Sequence, residues 1–460
     1  MNQHDLINPH KELRSVLGTR FSTDSAIRDA HARDASYHSG ALPDAVAFPK
    51  TNSEVSEIVK ICANYSMPII PYGTGTGVEG AVVAAEGTLC ISLNEMNRIL
   101  SVNADDRDVT VQAGVTRLQL NTHLAELGTE LHFPVDPGAD ASLGGMTATR
   151  ASGTSAVCYG TMQDNVLGLT VITADGTLVR TGGRARKSAA GYDLTRLFIG
   201  SEGTLGIITE ITLKLARLPE AIASAVCAFP TVDAAVNTVI ELIRSGVSLV
   251  RIELLDELQM DAVNKYSGLN YEVAPTLFFE FHGSANTVAE SSKIGGTIAS
   301  AHGSGDFRYA TDETERKRLW RARYDSYYAA LNRRPGSVGY VTDVCVPISR
   351  LAECITKTKT LLQNSNLSAS VLGHVGDGNF HVVFPLEPGN NDELAEAQQI
   401  SDQIVDIALK IDGTCTGEHG IGIGKRAALE KEHGDAVDLM RAIKHALDPQ
   451  NLMNPGKVFL

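Results

Sequence analysis

Three glycine-rich loops crowd the first half of the chain, each at the edge of a strand-like run, and they restrict what this half can build. Gly73-Thr-Gly-Thr-Gly-Val-Glu-Gly80 follows a strand-like run at 67 to 72. A longer region passes from Pro134-Val-Asp-Pro-Gly138 through Ser142-Leu-Gly-Gly145 and Ala151-Ser-Gly-Thr-Ser155 to Tyr159-Gly160. Gly200-Ser-Glu-Gly-Thr-Leu-Gly206 then separates a helix-prone stretch at 193 to 198 from a strand at 207 to 215. Such density lets a backbone press against a flat, extended ligand. The first loop contains GxGxxG at Gly75, Gly77 and Gly80, with Glu95 further on, but a nicotinamide-binding unit needs a full helix after the glycines. Here Gly87 interrupts and 88 to 93 already reads as a strand. A nest of backbone N–H groups can still hold a phosphate, with Thr74 and Thr76 adding hydroxyl donors. The alternative is a plain glycine-rich turn.

With 460 residues the chain exceeds what one core can fill, so two or more domains are expected. Thr51-Asn-Ser-Glu54 reads as a capping box opening a helix whose inner side is Val55, Ile58, Val59 and Cys62. Residues 166 to 173 and 177 to 181 read as a hairpin about Ala174-Asp-Gly176. After Pro219 the glycine density falls, and Arg217-Leu-Pro-Glu220 is the expected boundary. Strands at 222 to 229, 249 to 255, 276 to 282, 338 to 346 and 368 to 374 then interleave with helices at 231 to 244, 285 to 301, 312 to 332 and 348 to 365. That pattern predicts helices packed on an antiparallel sheet. The domains read as an N-terminal segment 1–39, a domain 40–218, a cap 219–425, and a segment 426–460 returning to the first.

The net charge of −14 argues against nucleic-acid binding, so an anionic substrate needs a local basic pocket. No run of about 18 apolar residues occurs, and the start Met1-Asn-Gln-His-Asp-Leu6 has the form of neither a signal peptide nor an Arg-rich presequence. A cytoplasmic location is expected. The seven cysteines lack CxxC spacing, against a disulfide framework or an iron–sulfur cluster.

Chemistry concentrates near the C-terminus. His374 and His381 bracket Gly373-His-Val-Gly-Asp-Gly-Asn-Phe-His381, and Glu418-His419 follow in Gly413-Thr-Cys-Thr-Gly-Glu-His-Gly420. Asp377-Gly378 reads as the turn of a hairpin placing both histidines beside one cavity. Two imidazoles and a carboxylate leave coordination positions open and suit zinc or manganese. The competing reading is a pair of hydrogen-bonded core histidines, since the spacing matches no compact zinc signature.

Taken together the loops resemble the flavoprotein superfamily of vanillyl-alcohol oxidase and p-cresol methylhydroxylase. Within it, Asp343-Val-Cys-Val-Pro-Ile-Ser-Arg-Leu351, Gly373-His-Val-Gly-Asp-Gly-Asn-Phe-His381, Gly417-Glu-His-Gly-Ile-Gly-Ile-Gly-Lys425 and Met453-Asn-Pro-Gly-Lys457 are similar to the respiratory D-lactate dehydrogenases. The glycolate oxidase flavin subunit and D-2-hydroxyglutarate dehydrogenase are relatives of that family. The resemblance implies an α+β chain with a two-part FAD-binding domain of the p-cresol methylhydroxylase type and a cap of antiparallel sheet covered by helices. It implies FAD, held noncovalently, on Pro71, Gly73, Thr74, Gly75, Thr76, Gly77, Pro137, Gly144, Gly145, Thr149, Ser152, Gly153, Tyr159, Gly160, Glu202, Gly203, Gly206, Ile208 and Asn454. It also implies a divalent metal, zinc or manganese, on His374, His381 and Glu418.

Oxidation of a D-2-hydroxy acid is the activity implied, and the residues suit it. A neutral imidazole at His419 can take the hydroxyl proton. Arg323 matches the family's arginine for the substrate carboxylate, with Arg321 as competitor. Where hydroxyglutarate enzymes carry a lysine for a second carboxylate, this chain has Val341, which points to a monocarboxylate, D-lactate first. Electrons would pass to a cytochrome, quinone or soluble carrier. Peripheral contact with the inner face of a respiratory membrane is compatible with this reading. A metallohydrolase using the same ligands, and a flavin subunit inactive without an iron–sulfur partner, are the competing functions.

Overall fold

A computed structural model describes residues 7–460. The reading of residues 1 to 6 as no targeting sequence lies outside them. The described chain divides into two compact units. One comprises the chain up to Ser152, Gly160–Leu218 and Glu418–Leu460; the other comprises Gly153–Tyr159 and Pro219–Gly417.

In the first unit, a four-stranded sheet runs in the order Phe21–Ser22, Ala45–Ala47, Leu89–Ser92, Ile69–Tyr72. The last three strands are parallel, as a crossover through a helix allows. That helix, Asn52–Asn64, starts where the Thr51 side chain accepts from the Glu54 N–H, and it buries Val55, Ile58, Val59, Ile61 and Cys62. Its apolar stripe packs into one core with Ile69, Leu89, Ile91 and Val171. A second, fully antiparallel sheet has the order Ile99–Asn103, Asp108–Gln112, Ile207–Lys214, Val166–Ile172, Leu178–Gly182. Its last two strands form the predicted hairpin, Ile172 opposite Leu178. The tail belongs to this unit: the Ile69 N–H donates to Leu452 and the Asn454 N–H donates back to Ile69.

The second unit is a mixed-order antiparallel sheet covered by helices. Strands Arg308–Ala310, Ala221–Ala228, Thr276–Gly283, Leu249–Leu255, Ser370–Gly373, Asn379–Leu386 and Val338–Val341 follow one another across it. Two regions read as continuous are broken. The helix expected over 312 to 332 is two, Glu313–Tyr324 and Ser326–Asn332, parted at Asp325. The strand expected over 338 to 346 is Val338–Val341 and Val344–Cys345, parted at Thr342 and Asp343. No helix among the described residues is long and apolar enough to cross a membrane.

Candidate functional site

In the first unit, strand Ile69–Tyr72 delivers the chain into Gly73–Gly77. Among the described residues, none of the five backbone N–H groups of this loop donates to a protein atom. Gly75 is in left-handed backbone (φ 68°), which turns successive N–H groups toward a common point. No helix follows before Arg117, so the nicotinamide motif is absent and an anion nest is present. Next to it lies a cleft lined by Pro71, Gly73, Gly144, Gly145, Thr149, Glu202, Gly203, Gly206 and Ile208, with Ala113 and Ser142. Several glycines are required by the chain's own packing. A Cβ on Gly144 would come 2.6 Å from the Ala113 Cβ, and one on Gly203 would come 2.8 Å from the Pro71 ring. They thus shape the walls, and the open N–H nest with its narrow cleft fits a flavin dinucleotide's pyrophosphate and ring.

Other residues expected at the cofactor take different places. The buried Glu202 carboxylate accepts from the N–H groups of Ile421 and Gly422, both at 2.7 Å, and so anchors the loop that follows His419. Burial drives its pKa up to about 7, with those two N–H groups and the lysines Lys457 and Lys425 opposing. Asn454 donates to the carbonyls of Ala81 and Glu202, fastening the tail to two of the glycine loops. Gly160 faces Asp164, which a Cβ would meet at 2.6 Å. Pro137 is half-exposed in the loop after Phe133. Ser152 closes a segment of the first unit, whereas Gly153 and Tyr159 belong to the second, where the Tyr159 hydroxyl lies 3.3 Å from the His282 Nδ1.

His419 is in the first unit, partly buried, its Nδ1 4.0 Å from a Glu79 carboxylate oxygen and its Nε2 3.7 Å from Glu418. Glu79 is itself paired with Lys425 at 3.0 Å, and its carbonyl receives the Ile423 N–H. Gly422 (φ 49°) permits this approach, since any Cβ there would overlap the Glu79 carbonyl. Glu79 and Lys425 were missed as site residues. A lone carboxylate inside a glycine run was the signal for the first.

In the second unit the expected hairpin forms, with Leu372 opposite His381 across strands Ser370–Gly373 and Asn379–Leu386. Gly378 (φ 80°) makes its turn. The rings of His374 and His381 are buried, with centroids 5.5 Å apart. His374 Nδ1 lies 2.7 Å from Glu253 Oε1 and His381 Nδ1 lies 3.1 Å from the Thr342 carbonyl. A carbonyl only accepts, and an ionised carboxylate only accepts, so both Nδ1 atoms carry a proton, and in the neutral ring Nε2 is then the nitrogen that holds a lone pair. That is the tautomer a metal-ligating histidine needs, held by outer partners. The pair therefore fits a divalent metal better than a merely structural role requires. Asp343, fully buried, accepts from Asn379, Thr416 and the Gly417 N–H, which fixes the backbone up to the residue preceding Glu418.

Arg323 is mostly buried and its Nε donates to Glu253 Oε2 at 2.7 Å, while its two terminal nitrogens bond to no described protein atom. Arg321 is exposed and lies against Asp325. Of the two, Arg323 has the fork a carboxylate could use. Val341 packs against a core with Leu319 and Trp320 and brings no charge. Glu253 was not foreseen. Its signal was a buried-pattern glutamate within a mostly apolar strand that also carries Arg251, Leu-Val-Arg-Ile-Glu-Leu-Leu.

A model described as FAD linked oxidases, C-terminal domain, matches residues 218–458, and one described as FAD binding domain matches 43–182. The chain is 52% identical to a probable mitochondrial D-lactate dehydrogenase of Danio rerio, over 97% of this chain and 90% of that one. It is 46% identical to the mitochondrial D-lactate dehydrogenase [cytochrome] of Arabidopsis thaliana, over 97% and 79% of the two chains. Among solved structures, p-cresol methylhydroxylase with substrate bound superimposes with a TM-score of 0.82 at 20% identity, over 100% of this chain and 97% of that one, a likeness of fold. The chain belongs to the FAD-linked oxidases, is built on the p-cresol methylhydroxylase fold, and carries their FAD-binding domain.

Proposed function

We propose that this flavoprotein oxidises a D-2-hydroxy monocarboxylate, D-lactate to pyruvate foremost, and passes the electrons to a cytochrome. The observation that carries the reading is the buried row Arg323–Glu253–His374, which joins a carboxylate-binding fork to a metal-competent imidazole inside one unit of an FAD-linked oxidase. The names of the Danio and Arabidopsis relatives support the substrate, and the Arabidopsis name supports the acceptor. When bound, FAD supplies the acceptor for two electrons and the C2 hydrogen, and a divalent ion on His374, His381 and Glu418, zinc or manganese, supplies Lewis-acid polarisation of the substrate oxygens.

The chain does the rest. Arg323 would hold the carboxylate through its terminal nitrogens while Glu253 keeps its Nε occupied, which orients the fork. His419 would take the hydroxyl proton. Carboxylate oxygens of Glu79 and Glu418 lie 4.0 and 3.7 Å from its two ring nitrogens. Val341 gives a distal carboxylate no compensating charge, and stripping water from such a group without a partner costs several kcal/mol, roughly. We propose that the protein works against the inner face of a respiratory membrane; the cytoplasmic location expected from the sequence draws no support from the two relatives, both named as mitochondrial.

A dye-linked assay over a panel of 2-hydroxy acids tests the reading. D-lactate should give a higher kcat/KM than D-2-hydroxyglutarate and far higher than L-lactate. Preference for D-2-hydroxyglutarate would show that another basic residue replaces the lysine absent at Val341.

A further inference from the structure

Glu253 lies mid-strand in Leu249–Leu255 with no exposed surface, and it faces two cations or potential cations at once. Its Oε1 receives the His374 Nδ1 at 2.7 Å and its Oε2 receives the Arg323 Nε at 2.7 Å. Arg323 sits 70 residues away and His374 sits 121 residues away along the chain. One side chain thus connects a helix, Glu313–Tyr324, with the hairpin that carries both histidines.

Both oxygens of the Glu253 side chain are taken by these two partners. Oε1 accepts from His374 Nδ1 and so fixes the ring's orientation and the nitrogen that carries that proton. An ionised Oε2 pins Arg323 by Nε alone and leaves its terminal pair pointing onward. Glutamine in place of Glu253 leaves one acceptor oxygen for two donors and removes the charge that serves both, so the two constraints cannot be kept together. Removing either partner leaves a buried charge half-compensated, and the other partner then becomes the sole counter-charge.

We infer that Glu253 is a positioning residue that links the metal-binding end of the site to the substrate-carboxylate end. The inference rests on the reading in which His374 ligates a metal and Arg323 binds the carboxylate. Glu253 itself touches neither ligand. Its action runs through the orientation of His374 and of Arg323, so a metal on His374 and a carboxylate on Arg323 each favour the same ordered Glu253 bonded to both. Binding at one end should therefore strengthen binding at the other, and by the same factor in both directions.

The experiment uses the full-length, FAD-loaded protein and zinc as the probe. Zinc affinity is measured by chelator competition in the parent, Glu253→Gln, Arg323→Met and His374→Ala, alongside kcat and KM for D-lactate at saturating zinc. Outer partners of metal-ligating histidines typically contribute 10- to 100-fold in affinity. Glu253→Gln should weaken zinc by about that factor and also raise the KM for D-lactate with zinc saturating. Arg323→Met should raise the KM while His374→Ala abolishes zinc uptake. Zinc uptake that survives His374→Ala overturns the reading of the metal site and this inference with it. Zinc uptake lost in His374→Ala but unchanged in Glu253→Gln, with an unchanged KM, overturns this inference alone, even if the variant melts earlier. Should Glu253→Gln fail to accumulate with flavin, Glu253→Asp, too short to span both partners, is read by the same two outcomes.

Discussion

Substituting Glu202 by glutamine separates two roles for one residue, a wall of the flavin cleft and the anchor of the loop after His419. Its two oxygens accept one N–H each, from Ile421 and Gly422, at 2.7 Å. Glutamine preserves the volume but offers only one oxygen, so its NH2 must face one of those N–H groups. A buried donor without an acceptor costs about 1–3 kcal/mol, and at roughly 2–4 °C per kcal/mol for a large domain the melting temperature should fall by several degrees.

The size of that fall should depend on pH. Burial lifts the Glu202 pKa from 4.5 to about 7. An acid whose folded pKa is raised binds more protons folded than unfolded between those values. The parent therefore loses stability as pH climbs from 4.5 towards 7, by roughly 3 kcal/mol as an upper figure, and is level above that. Glutamine has no such slope. The gap between parent and variant should thus be wider near about pH 5 than near about pH 8, with the variant's flavin retained and its turnover reduced because Glu418 and His419 lead into the loosened loop. Melting curves at both pH values, visible flavin absorbance and dye-linked turnover check each part. Unchanged melting and turnover would refute the anchoring role. Flavin loss at unchanged melting would return Glu202 to direct contact with the cofactor.

Two further predictions address the chemistry. His419→Asn should keep the flavin spectrum and lower turnover by ~100-fold or more, the scale of a lost general base; near-normal turnover in flavin-loaded protein would remove His419 from the mechanism. Chelation, or alanine at His374, His381 or Glu418, should abolish turnover without altering flavin absorbance, and activity retained in protein shown by elemental analysis to be metal-free would reduce these groups to structural ones.

Local patterns carried much of this structure into view. Hairpin 166 to 182, helix 52 to 64 with its Thr51 cap, and the turn at Gly378 each depend on neighbours in sequence, and each is where the pattern put it. The misread places are instructive. Residues 338 to 346 look like one strand, yet the chain breaks at Thr342 and Asp343, where a carbonyl serves His381 and a carboxylate holds Asn379, Thr416 and Gly417. Propensity yields there to tertiary hydrogen bonding, as is common at functional positions. The histidines and Arg323 were legible as chemistry, but Glu253 was not, because its meaning lies in partners far away in sequence. Likewise the glycines at 144 and 203 signal density, whereas the structure attributes them to contact with Ala113 and Pro71.

The central claim is that this chain moves two electrons from a D-2-hydroxy monocarboxylate into its own flavin. Mixing metal-replete, FAD-loaded protein with D-lactate under anaerobic conditions, and following the visible flavin band without any acceptor, tests it most directly. The account predicts rapid bleaching by D-lactate and an unchanged spectrum with L-lactate. A flavin that stays oxidised with D-lactate, or bleaches equally with both enantiomers, would contradict it.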